Sequence, residues 1–262
     1  MTKITSDQRL PWKRVWVTGA GRGIGAALTK LLCEEGLTVY ASSRTQQDLD
    51  VLQQQLSQYP GTMIPVPLDI CNKENINSLI ESWKKENNFP ELVILNAGTH
   101  DPFPAQEFSA KRCEQLFDIN LMGTIKCLEP VLKHYMAHNR GHIAVMASVA
   151  GYRGLPTAAA YGASKAALIN LCEGLKLDLL GTDVKLQVIN PGFVRTPLTD
   201  KNTFAMPDLM EPEDAARAII KGLLKDRFEI AFPARFVRIL KLLRLLPYNC
   251  YFRLVRRITG AQ

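Results

Sequence analysis

Strand-like and helix-like segments alternate along nearly the whole chain, and this alternation restricts the fold more than any other feature. Short apolar runs typical of buried strands begin near residues 15, 38, 63, 92, 142, 185 and 228. Helical patterns follow most of them, with predicted bounds of 24–35, 45–57, 75–86, 158–180 and 211–225. Repeated strand–helix units predict a three-layer α/β fold, a doubly wound parallel sheet that binds ligands at the carboxyl ends of its strands.

The chain of 262 residues is predicted to form one such domain over residues 12–231, followed by a C-terminal extension, residues 232–262. No run of 18 uncharged apolar residues occurs, and the N-terminus lacks the apolar centre of a signal peptide. The six cysteines are scattered without metal-ligand spacing. We therefore expect reduced thiols and a cytoplasmic protein.

The net charge of +7 is concentrated in the C-terminal extension. That segment contains seven basic residues and no acidic one, so the first 231 residues hold 25 of each sign. Because the body is neutral, the charge argues against a general nucleic-acid binder and for a special role of the last 30 or so residues.

The first part of the extension, residues 234–246, lies between Pro233 and Pro247 and is predicted to be a helix too short to span a bilayer. Its basic residues recur every third position. The apolar residues turn toward the other half of the helix and are Phe236, Ile239, Leu240, Leu243 and Leu246. This pattern allows three roles: peripheral contact with an anionic membrane, a lid on the substrate pocket, or a subunit interface.

A glycine-rich turn follows the first predicted strand and opens directly into a helix. Its glycines let the backbone turn tightly and approach a pyrophosphate, whose charge the helix N-terminus stabilises. The residues predicted to hold the pyrophosphate are Gly19, Gly21, Arg22, Gly23, Ile24 and Gly25.

Tyr161 and Lys165 are four residues apart in a predicted helix and therefore lie on one face of it. The ordinary pKa of a phenol, about 10, is too high for a base near neutrality, and a neighbouring ammonium lowers it. Ser148, at the end of the strand that precedes this helix, can offer a hydroxyl to the same substrate oxygen. The sequence therefore predicts an acid/base site here.

These motifs, in their order and spacing, resemble the short-chain dehydrogenase/reductase family over residues 12–231. The resemblance rests on T-G-x-x-x-G-x-G from Thr18, on Tyr161-x-x-x-Lys165 with its 13-residue gap from Ser148, and on further motifs. Those further motifs are Asp69-Ile70, Asn96-Ala97-Gly98, Asn120, and the run from Pro191 through Gly192, Phe193, Val194 and Arg195 to Thr196. The activity that the resemblance implies is oxidoreduction of a carbonyl or alcohol.

The resemblance also implies a role for each matching position. Tyr161 would be the general acid or base, Ser148 would hold the substrate oxygen, and Lys165 would bond the nicotinamide ribose. Asn120 would organise a water in a proton relay. The remaining positions would hold the cofactor: Asp69 and Ile70 at the adenine, Asn96, Ala97 and Gly98 at its ribose, and Pro191, Gly192, Val194 and Thr196 at the nicotinamide.

The end of the second strand favours NADP(H) over NAD(H). Specificity for NAD uses a carboxylate there, whereas the 2′-phosphate of NADP needs a cation. The strand ends Ser42-Ser43-Arg44 without an acid, and Arg22 points to the same region. Guanidinium groups bind phosphate through charge-assisted bonds, so Ser43, Arg44 and Arg22 are predicted to select NADP(H).

The expected substrate is hydrophobic, since the segment after Thr196 is apolar, as are Tyr152, Leu155 and Phe193. A homodimer or homotetramer is expected. The alternatives are a non-catalytic nucleotide-binding or scaffold protein and an epimerase or dehydratase on the same fold. His134 and His138 lack a third ligand at matching spacing, and we expect no metal site.

Overall fold

Seven parallel strands form one sheet in the computed structural model, which describes residues 9–202, 204 and 206–259. In chain order they are β1 (Arg14–Thr18), β2 (Thr38–Ser43), β3 (Thr62–Pro67), β4 (Leu92–Leu95), β5 (Gly141–Met146), β6 (Val184–Pro191) and β7 (Glu229–Phe232). Their order across the sheet is β3-β2-β1-β4-β5-β6-β7. The proline-containing β3 lies at one edge, where a strand without all its amide donors is tolerated.

Helices cover both faces of the sheet. They are α1 (Gly23–Glu34), α2 (Gln46–Leu56), α3 (Lys73–Lys85), α4 (Ala110–Phe117), α5 (Thr124–His138), α6 (Ala159–Asp178), α7 (Pro212–Leu223), α8 (Ala234–Arg244) and α9 (Tyr248–Thr259). One core cluster contains Leu28, Leu49 and Ile219 of α1, α2 and α7. The cluster on the other face contains Ile80, Val131 and Leu168 of α3, α5 and α6. The predicted three-layer parallel fold is confirmed.

The order of the strands reverses direction between β1 and β4. The chain runs outward from β1 to β3, crosses back, and then runs outward the other way from β4 to β7. The loops that leave β1 and β4 therefore diverge, and the crevice between them is where open α/β sheets bind ligands.

Two features of the fold have no counterpart in the sequence analysis. A π-helical segment, Asp118–Gly123, joins α4 to α5, and it contains Asn120. Such one-turn distortions are frequent at functional sites. The second feature is α9, which makes the C-terminal extension a pair of helices; Pro247 separates it from α8. No helix in the described part of the chain is long and apolar enough to cross a membrane.

Candidate active site

The glycine-rich turn after β1 is shaped by close backbone contacts. Gly19 has a φ of +66°, and a Cβ there would lie 2.7 Å from Ala97 Cα. A Cβ on Gly25 would lie 2.1 Å from the carbonyl oxygen of Gly19. Only glycine allows the turn to close this tightly against β4 and the start of α1.

The side chain of Asn96, at the end of β4, is hydrogen-bonded to the backbone of this turn. Its amide Nδ2 donates to the carbonyl oxygens of Thr18 at 2.9 Å and Gly19 at 3.2 Å. The Thr18 hydroxyl in return accepts from the backbone N–H groups of Asn96 and Ala97. Asn96 thus couples the loops of β1 and β4, a positioning role that its sequence motif does not reveal.

The predicted residues converge on one cleft of about 380 Å³ at the carboxyl ends of the strands. Those that line it are Gly19, Gly21, Arg22, Gly23, Ile24, Gly25, Ser43, Arg44, Asp69, Ile70, Asn96, Ala97, Gly98, Ser148, Tyr161, Lys165, Pro191, Gly192, Val194 and Thr196. Asn120 does not line this cleft and is completely buried behind it. Segments up to 177 residues apart in sequence, counting from Gly19 to Thr196, therefore form a single site.

The cleft fits a dinucleotide. The Arg22 side chain makes no capping hydrogen bond at the N-terminus of α1, and the first residues of this helix, Gly23 to Gly25, line the cleft. A Cβ on Gly23 would lie 2.9 Å from Thr196 Cγ2, so only a glycine lets the two loops approach this closely. A pyrophosphate matches the dipole at this helix N-terminus.

Tyr161 and Ser148 meet in the cleft beside the end of β5. Ser148 follows β5, and Tyr161 lies in the first turn of α6. The hydroxyl of Ser148 is hydrogen-bonded to that of Tyr161, and it also accepts from Ala150 N at 3.1 Å. Burial raises the pKa of Tyr161 above its usual value of 10, and the bond from Ser148 offsets this only in part. The phenol is therefore protonated at neutral pH.

Lys165 does not act on Tyr161 as the sequence predicted. Its ammonium donates to the carbonyl oxygen of Met146 at 2.9 Å and lies 5.8 Å from the centre of the Tyr161 ring. Burial is the cause that lowers the pKa of Lys165 from 10.5 to about 8. The predicted lowering of the Tyr161 pKa is wrong for this structure, because burial of the phenol outweighs any help from a distant ammonium.

Three hydrogen bonds fix the side chain of Asn120. Its Oδ1 accepts from Thr99 N at 2.7 Å, and its Nδ2 donates to Thr99 O and to Ser164 Oγ. Both amide donors are thus committed. Only acceptor capacity remains for a water.

His100 is a neighbour of the site that the sequence analysis missed. Its ring stands edge-on to that of Tyr161, with centroids 4.6 Å apart, and its Nε2 hydrogen-bonds Asn202 Oδ1. Lys201 donates to its carbonyl oxygen at 2.7 Å. These contacts hold the loop after Thr196 beside Tyr161. No motif marked His100, because the contact depends on how a distant loop folds back.

The end of the cleft beside β2 holds both predicted cations and one unexpected carboxylate. Arg22 forms an ion pair with Asp48, in the first turn of α2, at 2.8 Å. Gly21 is the neighbour that lets Asp48 approach, since a Cβ there would lie 2.9 Å from Asp48 Cβ. Arg44 is exposed and, within residues 9–202 and 206–259, has no ion-pair partner. Arg44 is thus the cation that is free for a phosphate.

The C-terminal extension packs beside the opposite end of the cleft. Phe236 of α8 lies 5.5 Å from Phe193, measured between ring centroids, and against Gly192. Arg153, five residues after Ser148, donates to the carbonyl oxygens of Leu243, Arg244 and Leu246. The extension therefore contacts two loops of the cleft: the loop that carries Ser148 and the loop that follows Pro191.

His134 and His138 lie away from the cleft, beside the amino ends of the strands. The His134 ring stacks on Phe89 with centroids 3.7 Å apart, and burial lowers its pKa to about 4. Within the described residues, no three His, Cys, Asp or Glu side chains are grouped so that they could hold a metal ion.

Comparisons of the sequence and of the structure with known proteins point to the same family. A family model described as short chain dehydrogenase matches residues 13–206. An uncharacterized oxidoreductase of Myxococcus xanthus is 33% identical over 249 residues, which is 95% of this chain and 98% of that protein.

Two solved structures have the same fold. The closed form of serine dehydrogenase complexed with NADP⁺ has a TM-score of 0.74 and 27% identity, over 85% of this chain and 95% of that one. A short-chain dehydrogenase from Streptomyces avermitilis has a TM-score of 0.77 and 23% identity, over 87% and 91% of the two chains. At that identity the second likeness concerns the fold alone.

Proposed function

Since this chain belongs to the short-chain dehydrogenase family, we propose that it is an NADP(H)-dependent oxidoreductase that interconverts a hydrophobic ketone or aldehyde and its alcohol. The observation that carries this proposal is the meeting of Tyr161, Ser148 and Lys165 at one end of a dinucleotide-shaped cleft. Bound in the cleft, NADP(H) supplies or accepts the hydride.

Tyr161 and Ser148 handle the substrate oxygen. In reduction, the raised pKa of Tyr161 keeps its proton available for the carbonyl oxygen as negative charge develops there. The Ser148 hydroxyl lies beside the phenol and can donate to the same oxygen, which fixes the orientation of the carbonyl. The protonated phenol is the form of Tyr161 that can act as the acid in reduction.

Lys165 and Asn120 replace the proton that Tyr161 gives up. A Cβ at Gly98 would lie 3.2 Å from Asn120 Oδ1 and 3.5 Å from Lys165 Nζ, so glycine leaves that space open. A water there would accept from the ammonium of Lys165 and donate to Asn120 Oδ1. A lysine whose pKa is about 8 exchanges its proton readily near neutrality.

We propose NADP(H) rather than NAD(H) because Arg44 is uncommitted beside Ser43. Asp48 opposes a 2′-phosphate, but Arg22 compensates its charge. Replacement of Arg44 by aspartate removes the free cation and adds a second carboxylate. We expect the Kd for NADPH to rise between about tenfold and a hundredfold in R44D, since a charge-assisted bond contributes roughly 1.5–3 kcal/mol. Titration of NADPH and NADH by fluorescence measures both affinities.

Arg140→Asp is the matched control for this prediction. It makes the same charge change on an exposed arginine directly before β5, at the amino ends of the strands and so at the opposite end of the sheet from the cleft. Its NADPH affinity is expected to stay unchanged. The cofactor proposal fails if the unaltered protein binds NADH more tightly than NADPH, or if R44D and R140D have the same effect.

Aromatic side chains support a hydrophobic substrate. Phe193 lies 5.8 Å from Phe204 and 5.5 Å from Phe236, between ring centroids, directly after Pro191 and Gly192 of the cleft. This wall offers apolar area rather than the charged groups that an acid or a sugar phosphate needs.

A panel of carbonyl compounds tests the proposed function, with NADPH oxidation as the readout. Medium-chain aldehydes and ketones are expected to turn over faster than charged or sugar carbonyls of similar size, because only the former bury apolar surface on the Phe193 wall. Binding of NADPH without turnover of any carbonyl or alcohol in the panel would favour the non-catalytic alternative.

The partners that we propose are the small hydrophobic substrate, a second copy of the chain in a homodimer or homotetramer, and an anionic membrane surface contacted by the C-terminal extension. Support for the last comes from the seven cations of the extension and its lack of acids.

A further inference from the structure

The C-terminal extension has two sets of apolar residues, and the structure separates them. The first set packs on the body: Val237 clusters with Val149 and Tyr152, with Phe236 and Leu240 against it. Of the apolar face predicted from the sequence, Phe236 and Leu240 are therefore covered by the protein itself, whereas Ile239 is exposed. A contact with a membrane has to use exposed residues.

The second set faces outward and is here called the docking face. Its members, with their exposed fractions, are Ile239 (46%), Leu242 (66%), Leu245 (80%), Tyr248 (71%), Phe252 (60%) and Ile258 (67%). Ile239 and Leu242 are about one turn apart on α8, and Tyr248 and Phe252, whose ring centroids lie 5.8 Å apart, are about one turn apart on α9; Leu245 lies in the connection between the two helices. Exposed apolar side chains concentrated in this way mark an interaction site.

The charge of the same helices indicates which partner covers the docking face. Arg235, Arg238 and Lys241 alternate with Ile239 and Leu242 along α8, and the whole extension contains no acid. Lys241 is paired with Glu229 of β7, and the other cations of α8 and α9 have no carboxylate partner within residues 9–202 and 206–259. A second copy of this chain would place these uncompensated cations against one another, whereas an anionic bilayer neutralises them and accepts the apolar side chains.

The docking face is tied to the substrate end of the cleft. Phe236, on the wall next to Gly192, is three residues and so about 4.5 Å along the helix axis from Ile239. On the other side, Tyr251 of α9 donates to Gly154 O, and the Arg153 guanidinium lies 4.0 Å from the Tyr251 ring centre. The extension is thus fixed to the loop that carries Ser148.

We propose that the docking face binds an anionic membrane surface and that the substrate, a hydrophobic carbonyl compound or alcohol dissolved in that membrane, enters the cleft beside Phe236. The part of this proposal that concerns the substrate rests on the proposed oxidoreductase function. The part that concerns the surface does not.

Co-sedimentation of the full-length protein with vesicles tests the surface. At low salt we expect binding to vesicles of phosphatidylcholine and phosphatidylserine in equal parts and little binding to phosphatidylcholine alone, and salt should weaken it. The double variant R235Q/R238Q should bind about 25-fold more weakly, at about fivefold for each cation. The double variant L242E/L245E should not bind, because its carboxylates are repelled by the lipid and the apolar contact is lost.

Leu177→Glu together with Leu180→Glu is the matched control, since these leucines are 69% and 66% exposed at the end of α6. That variant should bind vesicles like the unaltered protein. An unchanged unfolding midpoint shows that each variant is folded. Unaltered protein that stays in the supernatant at low salt overturns the docking face as a membrane site, and loss of dimer mass in L242E/L245E would identify it as a subunit interface instead.

Turnover of two probe aldehydes tests the route of the substrate. Decanal partitions into bilayers and propanal stays in water. At low decanal concentration, anionic vesicles should raise the rate of decanal reduction severalfold for the unaltered protein and for the L177E/L180E control. They should not raise it for L242E/L245E. Vesicles should leave the propanal turnover of the unaltered protein unchanged. Vesicle binding without faster decanal reduction overturns the route alone. If neither aldehyde nor any other carbonyl is reduced, the oxidoreductase function fails, and co-sedimentation still decides the surface.

Discussion

Tyr161→Phe is expected to reduce turnover by about a thousandfold or more while NADPH binding stays close to that of the unaltered protein. The substitution removes one oxygen atom from a residue that lies at the end of the cleft, hydrogen-bonded to Ser148. A positioned acid contributes roughly 10²–10⁴ to the rate, and phenylalanine has no proton to give. The ring itself, which packs beside His100, remains.

Tyr59→Phe is the matched control, because Tyr59 packs against the core between α2 and β3 and does not line the cleft. We expect its turnover to be normal. Steady-state NADPH oxidation gives the rate, and quenching of protein fluorescence by NADPH gives the affinity. If Tyr161→Phe keeps the turnover of the unaltered protein, Tyr161 is not the acid; if it loses NADPH binding instead, its role is in the cofactor site.

Much of this site could be predicted because its chemistry is local to short motifs. The glycine turn needs a strand before it and a helix after it, and both are visible in the apolar pattern around residues 15–35. Tyr161 and Lys165 share a helix, so their relation follows from spacing alone. That all of these positions face one cleft follows from the parallel sheet, whose strands end at the same edge.

Other parts of the site depend on contacts between distant segments, which spacing does not encode. Asp48 reaches Arg22 because Gly21 leaves room for its side chain, whereas the sequence analysis looked for a carboxylate only at the end of β2. His100 packs on Tyr161 and is also hydrogen-bonded to Asn202, which is 102 residues away in sequence. The π-helical turn contains Asn120, whose side chain bonds Thr99 and Ser164, 21 and 44 residues away in sequence.

The 5.8 Å between the Lys165 ammonium and the centre of the Tyr161 ring shows how much a spacing motif can predict. Four residues on a helix bring two side chains near each other, but the orientation of a long side chain depends on the acceptors within its reach. Here the carbonyl oxygen of Met146, at the end of β5, is that acceptor. The pKa of each group then follows burial, which is a property of the fold and not of the motif.

Lys165→Met is expected to have two opposite effects, a loss of activity and a gain in stability at neutral pH. Loss of the ammonium removes the group proposed to bond the nicotinamide ribose and to feed the proton relay, so reduction should slow by on the order of a hundredfold or more. The gain in stability comes from the removal of a charge that the fold buries with a single hydrogen bond to the backbone, that to Met146 O.

The size and pH range of the stability effect follow from the pKa of Lys165. Burial lowers it from 10.5 to about 8, which corresponds to a cost of about 3 kcal/mol in the protonated folded state. This cost is complete below about pH 8, where folded and unfolded chains are both protonated. Between pH 8 and 10.5 the unfolded chain binds more protons, so the stability of the unaltered protein rises with pH and the cost disappears.

Chemical unfolding without cofactor, measured at several pH values, checks this result. At pH 7, Lys165→Met should be more stable than the unaltered protein by about 2 kcal/mol, since loss of the bond to Met146 O offsets roughly 1 kcal/mol of the gain. The difference should shrink as the pH rises from 8 toward 10.5. Lys221→Met, at an exposed position on α7, should show no such pH-dependent difference. The prediction is contradicted if Lys165→Met is less stable than the unaltered protein by the same amount at every pH. That result would mean that the fold compensates the buried charge and that Lys165 stabilises the folded state.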